Sequence, residues 1–263
     1  MASRNPVFSR SAAFSQKGYA TFRDVPTPSQ GSLEEMYQRP SATAVDMRRM
    51  TVDDAVMKTL TSFGVLVAFA AVGWFVPGLA LVGLVVGLVL GLVISFRQST
   101  SAALVLGYAA AEGLFVGGIS GIFQAQWPGV VSQAVIGTLV AFGAMLALYK
   151  ARILRATPKF VKVMMVAGLA YFGVALASLV GAIFGVGGGW GFYGVSGIGL
   201  LLCAAGVAMA SLYLVLDFDF VEQGVRNGLP QRYGWLAAFG LTSTVVWLYI
   251  ELLRLLAILR GND

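Results

Sequence analysis

Beyond residue 56 the chain alternates between long apolar blocks and short breaks that hold most of its charge. The blocks cover residues 57–75, 79–96, 100–123, 129–149, 161–185, 195–219 and 234–259. Each is near the roughly twenty residues that a helix needs to cross a hydrocarbon layer about 30 Å thick. The pattern predicts an all-α, polytopic membrane helix bundle, with seven transmembrane segments filling residues 56–263 as one domain. Residues 1–55 are different: rich in Ser, Pro, Gln and Arg and without sustained periodicity, they predict a polar, largely disordered tail. The tail ends in "TVDDAVMKTL", where Thr51 suits a helix N-cap and Asp53 and Asp54 suit the positive end of the helix dipole.

The breaks carry a topology. Those after the first, third and fifth blocks ("VPG", "QAQWPG", "GVGGGWGFYG") hold no Lys or Arg, whereas the others hold Arg97, then Lys150, Arg152, Arg155 and Lys159, then Arg226 and Arg232. Basic residues near helix ends stay on the cytoplasmic side, so the expectation is an integral multi-pass protein with a cytoplasmic N-terminus. Trp74, Trp127 and Trp190 fall at the uncharged ends and Trp235 at the opposite one, as interfacial indoles do. Seven crossings put the C-terminus outside. Arg254 and Arg260 argue mildly for the competing topology, in which the last block re-enters without crossing. No apolar stretch of the kind a cleaved signal peptide carries precedes residue 56, so insertion is expected to begin with the first spanning helix.

Composition agrees, with 58% hydrophobic and 11% charged residues where a soluble domain carries about a quarter charged. The net charge of +6 is explained by the basic breaks, and no aromatic-basic surface points to nucleic acid. Glycines recur every fourth residue at 83, 87 and 91 and again at 113, 117 and 121. Such smooth stripes predict close helix packing in lipid.

The chain has one cysteine, Cys203, and no histidine, which removes Ser-His and Cys-His nucleophile pairs and His-ligated metals. The expectation is a protein that is not an enzyme and carries no resident cofactor. Chemistry must rest on the few charges inside the apolar blocks: Glu112 in the third, Asp217 late in the sixth, and Glu251 with Arg254 in the seventh. An ionised group at mid-membrane costs about 2.5–3.5 kcal/mol, so none of them is expected to face lipid. One reading is structural, an ion pair of Glu251 and Arg254 at i, i+3 that Glu112 joins as a buried charge network. The other is functional. Carboxylates at several depths offer a cation successive oxygen ligands, which suits calcium, with Asp217 and Glu112 as ligands and protonation as a brake. Asp219 and Glu222 are expected in a solvated cytoplasmic turn near Arg226.

The strings "EGLFVGGIS", "LVLDFD" and "LYIELLRLLAIL", in this order and spacing, resemble the transmembrane Bax inhibitor motif (Bax inhibitor-1-like) family over residues 55–260, and "NPVFSR" with the polar tail resembles its bacterial branch. The resemblance implies six helices around a central seventh, forming a calcium leak channel gated by protons through two aspartates. It implies a bacterial cytoplasmic membrane as the location. The first aspartate maps onto Asp217; the position of the second holds Thr244, which bonds hydrogen but cannot titrate. Glu251 shares a helix face with Thr244 but lies about 10 Å further along the axis, too far for direct replacement. The reading is therefore a pore whose latch differs, with Asp217 bonded to Thr244 and Glu112, Glu251 and Arg254 sensing protons. The resemblance also permits a non-conducting interaction protein that restrains a membrane partner such as a quality-control protease, its buried charges serving packing alone.

Overall fold

Helix follows apolar block along the chain. The computed structural model describes residues 31, 48–194 and 196–261, so most of the tail assigned to residues 1–55 lies outside the described residues. Seven long helices follow: α1 (Val52–Phe75), α2 (Leu79–Arg97), α3 (Ala102–Gln126), α4 (Val130–Lys150), α5 (Pro158–Ile183), α6 (Ser196–Arg226) and α7 (Tyr233–Gly261). All seven are long and apolar enough to cross a membrane, and no strand occurs among the described residues. The first helix starts as its sequence dictates, with the Asp54 amide donating to Thr51 Oγ1 at 3.1 Å.

The seventh helix is the axis of the bundle. Two-thirds of its apolar window is buried, 67% against at most 44% for any other helix. Leu253, Ile250 and Val246 meet Leu66 of α1, Ala109 and Val116 of α3 and Ala134 of α4 in one apolar core. Leu248 joins Ala210 and Leu214 of α6, Leu236 reaches Ile94 of α2, and Trp247 stacks on Tyr171 of α5 at 5.5 Å between ring centroids. An unbroken α7 runs from the loop at Gln231, whose amide bonds Arg48, to Gly261 beside Trp127. It thus passes from the end of the bundle rich in basic residues to the end rich in tryptophan, and does not turn back midway.

Without a hydrophobic drive between helices in lipid, close backbone approach does the packing, and the two glycine stripes supply it in different directions. Gly83, Gly87 and Gly91 of α2 face Ala111, Glu112 and Tyr108 of α3. Gly113 and Gly117 turn away to α1, where a methyl on Gly117 would overlap the Ala70 carbonyl. The third helix is therefore clamped between its two predecessors.

Three connections depart from expectation. Residues 48–50, read as tail, strap onto the α6–α7 loop: the Met50 amide donates to Leu229 O at 2.7 Å and the Met50 side chain is buried. Lys58 ties the same corner, bonding Asp54 Oδ2 and Gln231 O at 2.7 Å each. The glycine-rich break after α5, whose composition reads as flexible linker, folds into two 3₁₀ turns, Val186–Gly189 and Gly191–Gly194. Gly191 has φ +63° and its α-carbon abuts Ser178, so both conformation and space require glycine there. Asp219 and Glu222 occupy the last turns of α6 rather than a loop, because "DFDFVEQGVR" continues the helix beyond the apolar block.

Substituting Gly117 with Val should overpack α1 against α3 at a cost of about 1–3 kcal/mol, lowering the unfolding temperature in detergent or abolishing folding. Gly143→Ala, where no atom lies within 4 Å of the added methyl, should unfold at the wild-type temperature.

Candidate functional site

Each acid inside the apolar blocks lies against a glycine of the neighbouring helix. A methyl on Gly87 would stand 3.1 Å from Glu112 Oε1, one on Gly240 3.0 Å from Asp217 Oδ1, and one on Gly206 2.8 Å from Glu251 Oε2. The missing side chain makes room for a carboxyl that would otherwise meet lipid. Each acid also has an aromatic with a polar tip four residues earlier: Tyr108, Tyr213 and Trp247. That spacing places both groups on one helix face.

Glu251 has the richest surroundings. It is 2% exposed, and its Oε1 accepts from Trp247 Nε1 at 3.2 Å while Arg254 stands 3.7 Å away. Tyr171 of α5 lies against the same Gly206 notch and contributes its hydroxyl to Leu202 O at 3.3 Å. Tyr193, from the second 3₁₀ turn, donates to Tyr171 Oη at 3.0 Å, and its ring lies under the Arg254 guanidinium at 4.6 Å. Burial holds the Tyr193 phenol above its ordinary pKa, with the Tyr171 hydrogen bond opposing, so it remains a neutral donor. Glu251 Oε2 is buried without a hydrogen-bond partner.

Asp217 lies on α6 beside Thr244 and over Gly240 of α7, and its Oδ2 is likewise buried without a partner. Glu112 stands on α3 against α2, next to Tyr108, whose hydroxyl also neighbours Ser243 of α7. The structure thus brings Asp217 together with Thr244 and Glu251 together with Arg254. It does not bring Glu112 to that ion pair: among the described residues Arg254 has no acidic partner besides Glu251. Nor do Asp217 and Glu112 share a cation site, each standing at its own interface, and no three acidic or thiol groups cluster among the described residues.

The two acids on α6 and α7 occupy two levels of one antiparallel seam, since residue 206 meets 251 and residue 217 meets 240. Thr244 and Glu251 are about 10 Å apart along the axis at 1.5 Å per residue. Between the levels lie Ala210, Leu214 and Leu248, each with no solvent exposure and all in one apolar cluster. A pocket opens at either end of the bundle, one beside α7 and the other beside α6, and neither is lined by both helices. The one at the tryptophan-rich end, about 280 Å³, reaches Arg254; the one at the basic end, about 230 Å³, reaches Asp219 and Glu222. There Tyr149 donates to Glu222 Oε2 at 2.5 Å and Arg152 stands 3.7 Å from Glu222 Oε1.

A family model described as Bax inhibitor 1 like matches residues 5–261, nearly the entire chain. The chain belongs to the Bax inhibitor-1-like family. No curated protein matches it. In this Bax inhibitor-1-like chain the aromatics around the acids are the residues that sequence reading missed, although Tyr213 gives its hydroxyl to Met164 O at 2.8 Å and not to Asp217. Tyr108, Tyr213 and Trp247 carried a signal in their four-residue spacing. Tyr171 and Tyr193 carried none, because they arrive from other elements.

Double-mutant cycles on unfolding free energy should find Glu251→Gln and Arg254→Gln coupled by about 0.5–3 kcal/mol, as contacting residues are. Glu112→Gln should add to either within about 0.5 kcal/mol. Equal coupling for all three pairs would mean that the acids form one network.

Proposed function

We propose that this Bax inhibitor-1-like protein is a pH-modulated cation leak, with calcium as the cargo, and that it works by passage along the α6–α7 seam rather than by covalent turnover. The observation that carries the reading is Asp217: a carboxyl with an unpartnered buried oxygen, facing Thr244 and Gly240 across the α6–α7 seam. Ionised and protonated carboxyls differ strongly in the cost of burial, so a proton on Asp217 changes the balance between a closed and an open seam. Thr244 gives Asp217 a neutral neighbour where a second acid would share its proton, which leaves Asp217 to titrate singly.

In the closed arrangement Ala210, Leu214 and Leu248 form the barrier, because an ion entering an apolar constriction must shed its water. Glu251 supplies an oxygen above that layer and Asp217 one below it. Glu112, at the α2–α3 interface, senses protons without lining the seam. The basic helix ends support a cytoplasmic N-terminus, with the tryptophan-rich pocket outside, and the resemblance of the tail to the bacterial branch supports a bacterial cytoplasmic membrane. The sealed layer also suits the second reading, a non-conducting protein that holds a membrane partner such as a quality-control protease.

Purified protein in lipid vesicles loaded with a calcium dye separates the two. The leak reading expects flux that changes with pH, a flattened pH response in Asp217→Asn, and faster flux in Leu214→Ala. A barrier lower by about 1.4 kcal/mol multiplies the rate about tenfold. An unaltered pH response in both Asp217→Asn and Glu112→Gln removes these acids from the sensing role, and absence of flux at every pH favours the partner-holding reading.

A further inference from the structure

The pocket at the tryptophan-rich end has features that passage of a cation does not use. Its walls are aromatic: Phe123 meets Trp127 and Trp190 at 5.5 Å each between centroids, the second pair edge to face, and Ile258 and Tyr193 complete the lining. Its floor is Arg254, whose side chain is 28% exposed. Among the described residues no acidic residue lines it.

The guanidinium is under-used. It has five N–H donors, yet among the described residues it makes no hydrogen bond, only the 3.7 Å approach to Glu251 and the stacking on Tyr193. Glu251 Oε1 already accepts from Trp247, and the Tyr193 hydroxyl is committed to Tyr171. Arg260, outside the lining, donates to the Pro128 carbonyl. The donors left over on Arg254 therefore face a small, largely apolar pocket in which, among the described residues, the formal charge is positive.

We infer that this pocket is a binding site for a small amphipathic carboxylate, an arylacetate or a compound of that size and kind. The carboxylate takes the free edge of the Arg254 guanidinium, which matches it in a planar two-point pair. The apolar body stacks among Phe123, Trp127 and Trp190. A volume of about 280 Å³ sits at the lower end for ligand pockets and suits a small molecule. A free phosphate would leave the aromatic walls unused, and a neutral aromatic would leave the guanidinium unpaired. The occupant is a solute from the aqueous side, reached through the 3₁₀ turns and helix ends that line the pocket, and a lipid headgroup at the same level is the alternative that the test separates.

Binding is independent of ion passage, so its test stands apart from any flux measurement. The protein, in nanodiscs of zwitterionic lipid, is titrated with fluorinated phenylacetate and with the isosteric phenylacetamide, following the fluorine linewidth against empty nanodiscs. The inference expects saturable broadening by the carboxylate and at least about tenfold weaker binding of the amide, the effect of losing one charge-assisted pair. Arg254→Gln should abolish the preference for the carboxylate. Trp190→Leu, in the exposed turn and away from Glu251, should weaken both ligands while leaving the unfolding temperature unchanged. Arg152→Gln, at the opposite pocket, should change nothing. Equal binding of acid and amide by the wild-type protein, or broadening no greater than in empty nanodiscs, overturns the inference without recourse to any variant. So does loss of binding only when anionic lipid is added, which would identify a lipid headgroup as the occupant.

Discussion

Burying a carboxyl among apolar helices is the constraint around which this bundle is arranged. An acid facing lipid is costly, and an acid facing another helix needs space that a packed side chain would occupy. Glycine resolves the conflict three times, at Gly87 for Glu112, Gly240 for Asp217 and Gly206 for Glu251. In each case the neighbouring backbone comes near enough to shield the acid, and an added methyl would press on it. The same absence of side chains that lets α1, α2 and α3 approach also creates the notches in which the charges lie.

The central position of α7 follows from its role as host. It carries Glu251 and Arg254 and presents Gly240 and Thr244 to Asp217, so lipid contact on those faces is excluded. Around it the other helices keep most of their apolar surface outward. The seam with α6 then has polar groups at two levels and an apolar layer between them, an arrangement with two natural states. Packed, the layer of Ala210, Leu214 and Leu248 excludes water. Parted, it would open a path between the level of Glu251 and the level of Asp217.

Much of the fold was legible in the order of residues. Seven apolar blocks of spanning length gave seven helices, and Thr51 followed by two aspartates marked the start of the first. Which helix is central was not legible from the blocks, since all are apolar around their whole circumference; that expectation came through the family resemblance, and α7 bears it out. The glycine stripes announced close packing but not its partners: α3 turns its stripe to α1, leaving its Glu112 face for α2. Charge at Asp219 and Glu222 reads as the end of a helix, whereas α6 continues as a polar helix to Arg226. At the candidate site the acids were visible as charges out of place. Tyr171 and Tyr193 were invisible, since only the folding of α5 and the glycine-rich turns onto α6 brings them to Glu251.

The most direct test of the account is whether water ever reaches the apolar layer. With Cys203 replaced by alanine and Leu214 by cysteine, the protein in lipid vesicles is exposed to a membrane-impermeant thiol reagent across the carboxyl titration range, with rates normalised to a cysteine in an exposed loop. A gated seam predicts a thiol that is protected at one end of the pH range and modified at the other. Protection at every pH, in protein shown to be folded, would contradict it.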